Sequence, residues 1–150
     1  MNRELKNGRY ICIKAFDEVF DLDPEVILFH VPDFMGKEQL NIGLKFSSEC
    51  EDGLTLFAVI TKNFNEFIGL KNCAYIDTNN CPFADQLLTL GIAVDTGLTK
   101  KSGFCTYPLW QFDESFLKSI ASETYESYSR SYDEYMEFMC PAKDSGGDEQ

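Results

Sequence analysis

The sequence has no long apolar run. No stretch of about 18 apolar residues occurs, so we expect no helix that spans a membrane. Residues 1–6, Met-Asn-Arg-Glu-Leu-Lys, offer no apolar core for a signal peptide. Both absences predict a cytoplasmic protein without a membrane partner.

Positive charge is also scarce. Lysine and arginine total 13 against 25 aspartate and glutamate residues, and the formal net charge is −12. Binding to nucleic acid through its phosphates needs a basic surface, so we expect no direct nucleic-acid partner. Two explanations of the acidity stay open. It serves solubility, or it presents carboxylates to a basic site on another protein, as DNA mimics do.

The residue patterns of common catalytic and metal sites are missing. His30 is the only histidine, and the six cysteines form no C-x-x-C pair, which argues against zinc and favours reduced thiols. Phosphate-binding glycine loops, G-x-S-x-G and H-E-x-x-H do not occur. We therefore predict no enzyme activity, no cofactor and no metal.

Cys81 is the one candidate nucleophile. It precedes a predicted helix, and a helix N-terminus lowers the pKa of a thiol. A cysteine hydrolase also needs a base, and His30 lies upstream on a predicted buried strand. A small enzyme or ligand-binding domain that uses Cys81 is thus the weaker alternative to a buried thiol with a packing role.

The residues that are present predict one α+β domain over 1–140 and a disordered tail over 141–150. Apolar residues make up 44% of the chain, and thirteen Phe and seven Tyr supply a core. We predict a mostly antiparallel sheet of about five to six strands. The segments concerned are 9–16, 26–31, 40–46, 54–61, 73–76 and 104–112. Residues 17–25 are predicted to be a solvated acidic loop, and residues 63–70 one or two helical turns.

Two helices complete the prediction. A short one covers about 81–90, with Asn80 as N-cap and Gly91 as a left-handed C-terminal residue. A long one covers about 114–139, capped by Asp113. Between them, Pro108 indicates an edge strand or a bulge in the last predicted strand.

The long helix carries four tyrosines on one face, at positions 125, 128, 132 and 135. They either pack on the sheet or face a partner, where tyrosines with flanking carboxylates suit an arginine-rich site. The partner-binding hypothesis names Glu123, Glu126, Tyr128, Tyr132, Asp133, Glu134 and Glu137.

Two motifs, Asp77-Thr-Asn-Asn-Cys-Pro-Phe83 and Ser102-Gly-Phe-Cys-Thr-Tyr-Pro108, occur in that order. With them, the chain resembles a small-protein family of unknown function that is associated with conjugative and other mobile elements of gut-type bacteria. The resemblance implies a context of mobile DNA and no activity. Residues in and beside the motifs are expected to fix structure or to line a small groove, namely Asp77, Asn79, Asn80, Cys81, Tyr107 and Trp110.

Together these features predict a non-enzymatic acidic interaction protein. The leading hypothesis is an inhibitor of a host nucleic-acid-handling defence enzyme, of anti-restriction or anti-CRISPR type. Its partner would be a protein with a basic nucleic-acid-binding surface. An accessory protein of conjugation or plasmid maintenance fits the resemblance equally well, and the sequence leaves strand order and oligomeric state open.

Overall fold

Two antiparallel sheets, a 3₁₀ turn and two helices make up the part of the chain that the computed structural model describes, residues 11–33, 35–50 and 53–139. The predicted α+β class is confirmed. The predicted tail over 141–150 and residues 9 and 10 of the first predicted strand lie outside the described residues. One domain over 1–140 stays a prediction.

The first sheet is an antiparallel meander. The turn between its first two strands is made by Phe16 and Asp17, whose φ angles are 53° and 64°. Two consecutive left-handed residues match the twist of the hairpin that they close. The four strands follow in chain order: β1 (Ile11–Ala15), β2 (Glu18–Pro32), β3 (Glu38–Cys50) and β4 (Gly53–Val59).

The prediction of a solvated loop at residues 17–25 is wrong, because β2 includes most of that segment. Leu22 and Val26 are buried on one face of the strand. Glu25 lies on the opposite face, where its carboxylate is 3.1 Å from Nζ of Lys45 in β3. Pairing with two partner strands and the burial of Leu22 and Val26 thus outweigh the low strand propensity of aspartate and glutamate.

The second sheet has the strand order β5-β6-β8-β7, and every neighbouring pair is antiparallel. β8 lies between β6 and β7, so the prediction of an edge strand at Pro108 is wrong. The predicted bulge in the strand of Pro108 is not found either, because the irregularity lies in the partner strand: between Asp95 and Thr99, opposite Pro108, β7 has three residues against one in β8. The strands are β5 (Thr61–Lys62), β6 (Cys73–Ile76), β7 (Ala93–Ser102) and β8 (Cys105–Phe112).

The chain crosses from the first sheet to the second at Ile60, which is fully buried. Its N–H donates to the carbonyl of Leu44 in β3 (3.1 Å), and its carbonyl accepts from the N–H of Asp77 after β6 (2.8 Å). Oγ1 of Thr61 accepts from the N–H of Leu44 (3.2 Å). The crossing splits the strand predicted at 54–61, and the described chain therefore has two four-stranded sheets instead of one sheet of five to six strands.

Residues 63–72, which connect β5 to β6, contain none of the predicted helical turns. The side chain of Asn41, buried in β3, holds this loop. Its Nδ2 donates to the carbonyl of Glu66 (2.6 Å), and its Oδ1 accepts from the N–H of Ile68 (2.9 Å). A buried amide therefore satisfies backbone groups that a helix would otherwise pair.

The predicted short helix is a 3₁₀ turn, Pro82–Asp85, followed by α1 (Gln86–Thr89). Cys81 occupies the N-cap position without a side-chain cap, so the prediction of Asn80 as N-cap is wrong. The Asn80 side chain donates instead to Oδ2 of Asp77 (2.9 Å). Gly91 follows with a φ of 77°, as its position at the helix end predicts.

The long helix α2 (Glu114–Met139) has the predicted bounds. Asp113 caps it, with Oδ2 accepting from the N–H of Phe116 (2.9 Å). Ala121 interrupts the helix, because its φ of −159° and ψ of 66° are not helical. Both halves bury side chains against the sheets: Phe116, Leu117, Ile120, Tyr125 and Tyr128.

Gly43 in β3 tests the packing around the crossing. A Cβ added there would lie 2.5 Å from Cε2 of Phe29 and 2.8 Å from Oγ1 of Thr61. We expect Gly43→Ala to lower the free energy of unfolding by about 1–3 kcal/mol, measured by urea denaturation, because the site has no room. Gly69→Ala is the control, since a Cβ there meets no atom within 4 Å. Equal stability of the two variants would contradict the described packing.

Candidate functional site

Four carboxylates form a stripe along the exposed face of the second half of α2. The residues, called here the acidic stripe, are Glu123, Glu126, Glu134 and Glu137, and all four are exposed. Their spacing places them on one side of a helix, and the 14 steps from first to last correspond to about 21 Å. In the described part of the chain, none of them lies within ion-pair distance of a basic group.

The opposite face of α2 is held by tyrosine hydroxyls. Tyr125 donates to Oδ1 of Asn72 (2.9 Å), and Tyr128 accepts from the N–H of Asn72 (2.8 Å). Further along, Tyr132 donates to the carbonyl of Gly69 (2.8 Å). Tyr125 and Tyr128 are only 1% and 2% exposed. These contacts agree with the interpretation in which the tyrosines pack on the domain, and they fix which side of α2 faces outward.

Two residues of the partner-binding hypothesis, Tyr128 and Tyr132, bond to the domain through their hydroxyls. Tyr128 is buried, and burial raises the pKa of its hydroxyl well above the ordinary value. Tyr132 is half-buried, and burial likewise raises its pKa. The Tyr128 side chain is thus not available to a partner, because its hydroxyl accepts a hydrogen bond from the backbone of Asn72 inside the domain.

Asp133 lies beside the acidic stripe but has a partner of its own. Its carboxylate is 2.9 Å from Nζ of Lys71, and that Nζ is 5.8 Å from the ring centroid of Tyr132. Partial burial alone would lower the pKa of Lys71, but the hydrogen bond and the negative charge of Asp133 outweigh it and raise the pKa. Asp133 therefore ties α2 to the 63–72 loop.

The first motif forms a turn. Oδ1 of Asp77 accepts from the N–H of Asn80 (3.3 Å), and the carbonyl of Asp77 accepts from the N–H of Cys81 (2.8 Å). Asn79 is exposed at the tip of this turn. The turn leads the chain from β6 into the 3₁₀ turn, which is the structural role expected for these residues.

Tyr107 and Trp110 lie on opposite faces of β8, since they are three positions apart. Trp110 is buried in the core that also contains α2, whereas the Tyr107 ring packs on Phe64, with ring centroids 5.1 Å apart. Burial, followed by the proximity of Cys105 and Asp77, raises the pKa of Tyr107. The two aromatic side chains therefore do not line one groove.

Cys81 does not have the environment of an activated thiol. It is 4% exposed, and burial together with the charge of Asp77 raises its pKa above the ordinary value. His30 is exposed and not buried as predicted, and its Nδ1 contacts Oε2 of Glu38. The 3₁₀ turn and α1 that follow Cys81 span only four residues each, whereas the prediction assumed one helix over about 81–90.

The described residues contain neither a metal-binding cluster nor a membrane-spanning helix. Within them, His, Cys, Asp and Glu form no group of three or more that could hold a metal ion. No helix in the same residues is both long and apolar enough to cross a membrane. Of the cysteines in these ranges, Cys12, Cys73, Cys81 and Cys105 are free.

The sequence matches the family described as "Domain of unknown function (DUF4313)" over residues 28–132. The chain belongs to the DUF4313 family. The matched region begins in β2, contains both sequence motifs and ends at Tyr132 in α2. Comparisons with curated proteins and with solved structures give no match.

The sequence did not predict a cavity that lies near the end of the region matching DUF4313. It has a volume of about 510 Å³ and is lined by residues that include Asp33, Glu66, Phe67 and Tyr135. Asp33 lies just beyond the strand predicted at 26–31, and Phe67 lies in the segment predicted as one or two helical turns. No local pattern joins them, because they come together only through the packing of two loops against α2.

We expect Tyr128→Phe to destabilise the DUF4313 domain more than Tyr132→Phe. The first variant leaves the N–H of Asn72, a residue 8% exposed, without its acceptor, which costs about 1–3 kcal/mol. The second removes a bond in an exposed setting and costs less. Urea denaturation of both variants measures the difference, and equal losses would contradict the anchoring role of Tyr128.

Thiol labelling tests the environment of Cys81. We expect iodoacetamide at pH 8 to modify exposed Cys12 at least about tenfold faster than Cys81 or Cys73, because the thiolate is the reactive form. Burial raises the pKa of Cys73 to about 11. Peptide mapping by mass spectrometry gives each rate, and labelling in denaturant is the control. Labelling of Cys81 as fast as that of Cys12 would favour the Cys81 hypothesis.

Proposed function

We propose that this protein is a non-enzymatic interaction protein that binds a basic surface of another protein through the acidic stripe. The observation that carries the proposal is the arrangement of Glu123, Glu126, Glu134 and Glu137. These carboxylates are exposed, have no basic group within ion-pair distance in the described part of the chain, and follow one face of a helix.

The anchoring of α2 supports this function energetically. Three tyrosine hydroxyls and the Asp133–Lys71 ion pair fix the helix on the 63–72 loop. A charged surface that is held in place before binding loses less conformational freedom when a partner docks. The net charge of −12 adds a long-range field that attracts a basic partner.

The proposed partner is a nucleic-acid-handling enzyme. Its Lys/Arg channel is built for phosphates, and the carboxylates of the acidic stripe would occupy that channel and exclude DNA or RNA. Carriage on a mobile element, which the two sequence motifs suggest, would make a host defence enzyme of restriction or CRISPR type the target. Inhibition by steric exclusion needs no catalytic group on this chain.

The test is capture of the partner from a bacterial lysate treated with nuclease, followed by elution with a salt gradient and mass spectrometry. We expect a basic nucleic-acid-binding enzyme that elutes at raised salt and is displaced by added DNA or RNA, because both compete for one surface. Replacing the four carboxylates of the acidic stripe by glutamine should abolish its capture.

The matched control changes four exposed carboxylates elsewhere by the same total charge: Asp17→Asn, Glu18→Gln, Asp85→Asn and Asp95→Asn. It should retain the partner to within about twofold at fixed salt. Affinity that stays flat between low and high salt, or equal loss in both quadruple variants, would contradict recognition by the acidic stripe.

A further inference from the structure

The cavity of about 510 Å³ lies where three segments meet. These are the end of β2 at Pro32 and Asp33, the loop at 65–69, and α2 at Tyr135. Asn41 fixes the loop through Glu66 and Ile68, so the wall of the cavity is built on β3. The cavity is thus a defined site on the same helix that carries the acidic stripe.

Asp33 lines the cavity and has one acceptor oxygen without a donor. The residue is 8% exposed, and its Oδ1 accepts from the N–H groups of Met35 (2.8 Å) and Lys37 (2.9 Å). Its Oδ2 is buried and has no hydrogen-bond partner among the described residues. Buried carboxylate oxygens are normally paired, because leaving one unpaired is costly. A donor supplied by a ligand would remove that cost.

The cavity's other walls suit a flat organic cation. Phe67 and Tyr135 pack edge to face with ring centroids 4.6 Å apart, and aromatic faces attract cations. The lysine side chains near the cavity contact other groups and not Asp33 Oδ2. Nζ of Lys37 lies 4.1 Å from the ring centroid of Phe138, and Nζ of Lys100 lies 3.1 Å from Oε1 of Glu66.

A guanidinium group fits this combination better than the alternatives. It is planar, weakly hydrated and always charged, and it both stacks on aromatic rings and donates to a carboxylate. An ammonium group is strongly hydrated and has no flat face to stack. A metal ion would need more ligating groups than the described residues bring together.

We propose that this cavity is an anchor pocket for an arginine side chain of the basic partner, with Asp33 pairing the guanidinium and Phe67 and Tyr135 packing against it. The inference rests on the proposed function, since it names how that partner is held. Tyr135 directly follows Glu134 in the chain, about 100° further around α2, so the pocket lies on the flank of the helix next to one end of the acidic stripe. Arginines in pockets are frequent binding hot spots.

An NMR titration of the ¹⁵N-labelled full chain tests the pocket with three probes: N-acetyl-arginine amide, its neutral isostere N-acetyl-citrulline amide, and N-acetyl-lysine amide. We expect saturable shifts of the Met35 and Lys37 amide signals with the arginine probe. The citrulline and lysine probes should bind at least about tenfold more weakly, because one lacks the charge and the other the planar fork.

Asp33→Asn is the sharpest variant, because asparagine keeps the Oδ1 acceptor for Met35 and Lys37, removes the charge and replaces the Oδ2 acceptor by an NH₂ donor. It should weaken the arginine probe by about tenfold or more. Tyr135→Leu, which removes an aromatic wall, should also weaken it. Asp85→Asn, which changes an exposed carboxylate outside the acidic stripe, is the control and should leave the dissociation constant unchanged within about twofold.

The pocket assignment is overturned if Asp33→Asn leaves the dissociation constant of the arginine probe unchanged, or if citrulline binds equally well. Binding of free arginine shows whether the pocket takes an arginine side chain of a protein or a free small molecule. Its own carboxylate is repelled by neighbouring acidic residues, so tighter binding of free arginine than of the blocked amide would overturn the anchor role. The titration needs no partner, so its failure is distinct from failure of the capture experiment.

Discussion

The orientation of α2 depends on hydrogen bonds between two buried tyrosines and one asparagine. Asn72 has a left-handed φ of 67° and offers both its N–H and its Oδ1 to the helix, to Tyr128 and Tyr125 respectively. Its carbonyl accepts from the N–H of Phe112 at the end of β8. A single residue thereby joins the second sheet to the helix, and the exposed face of α2 follows from that junction.

The location of the charges depends on the same junction. With the tyrosines turned inward, the carboxylates at 123, 126, 134 and 137 have only the outer face left to occupy. Asp133 sits at the boundary between the two faces, and its partner Lys71 immediately precedes Asn72. The DUF4313 domain therefore separates an apolar and hydroxyl-rich inner face from an acidic outer face along one helix, and the proposed function uses the outer one.

Local patterns in the sequence predict much of this fold. Capping by Asp113, the glycine at 91, the bounds of α2 and the pairing of β3 with β4 follow from residues close together in the chain. The strand at 18–25 is not predicted by local patterns, because its many carboxylates suggest a solvated loop although Leu22 is buried. The crossing at Ile60 also escapes prediction, since nothing in an apolar strand marks where it leaves one sheet for another.

The candidate site is likewise predictable from the sequence only in part. Helical periodicity identifies the face that carries the acidic stripe, although it leaves undecided whether the tyrosines face in or out. The hydroxyl partners of those tyrosines lie more than fifty positions away in sequence, and only packing reveals them. Asp33, Phe67 and Tyr135 are likewise far apart in sequence, at least 34 positions from one another, so their cavity has no signature in the chain.

The crossing at Ile60 has a consequence for how this domain unfolds. One continuous backbone serves both sheets, and the amide protons of Leu44, Ile60 and Asp77 are all bonded at the point of transfer. Neither sheet can separate from the other without breaking these bonds. We therefore expect the two sheets to open together and these three protons to be among the slowest of the described residues to exchange with solvent.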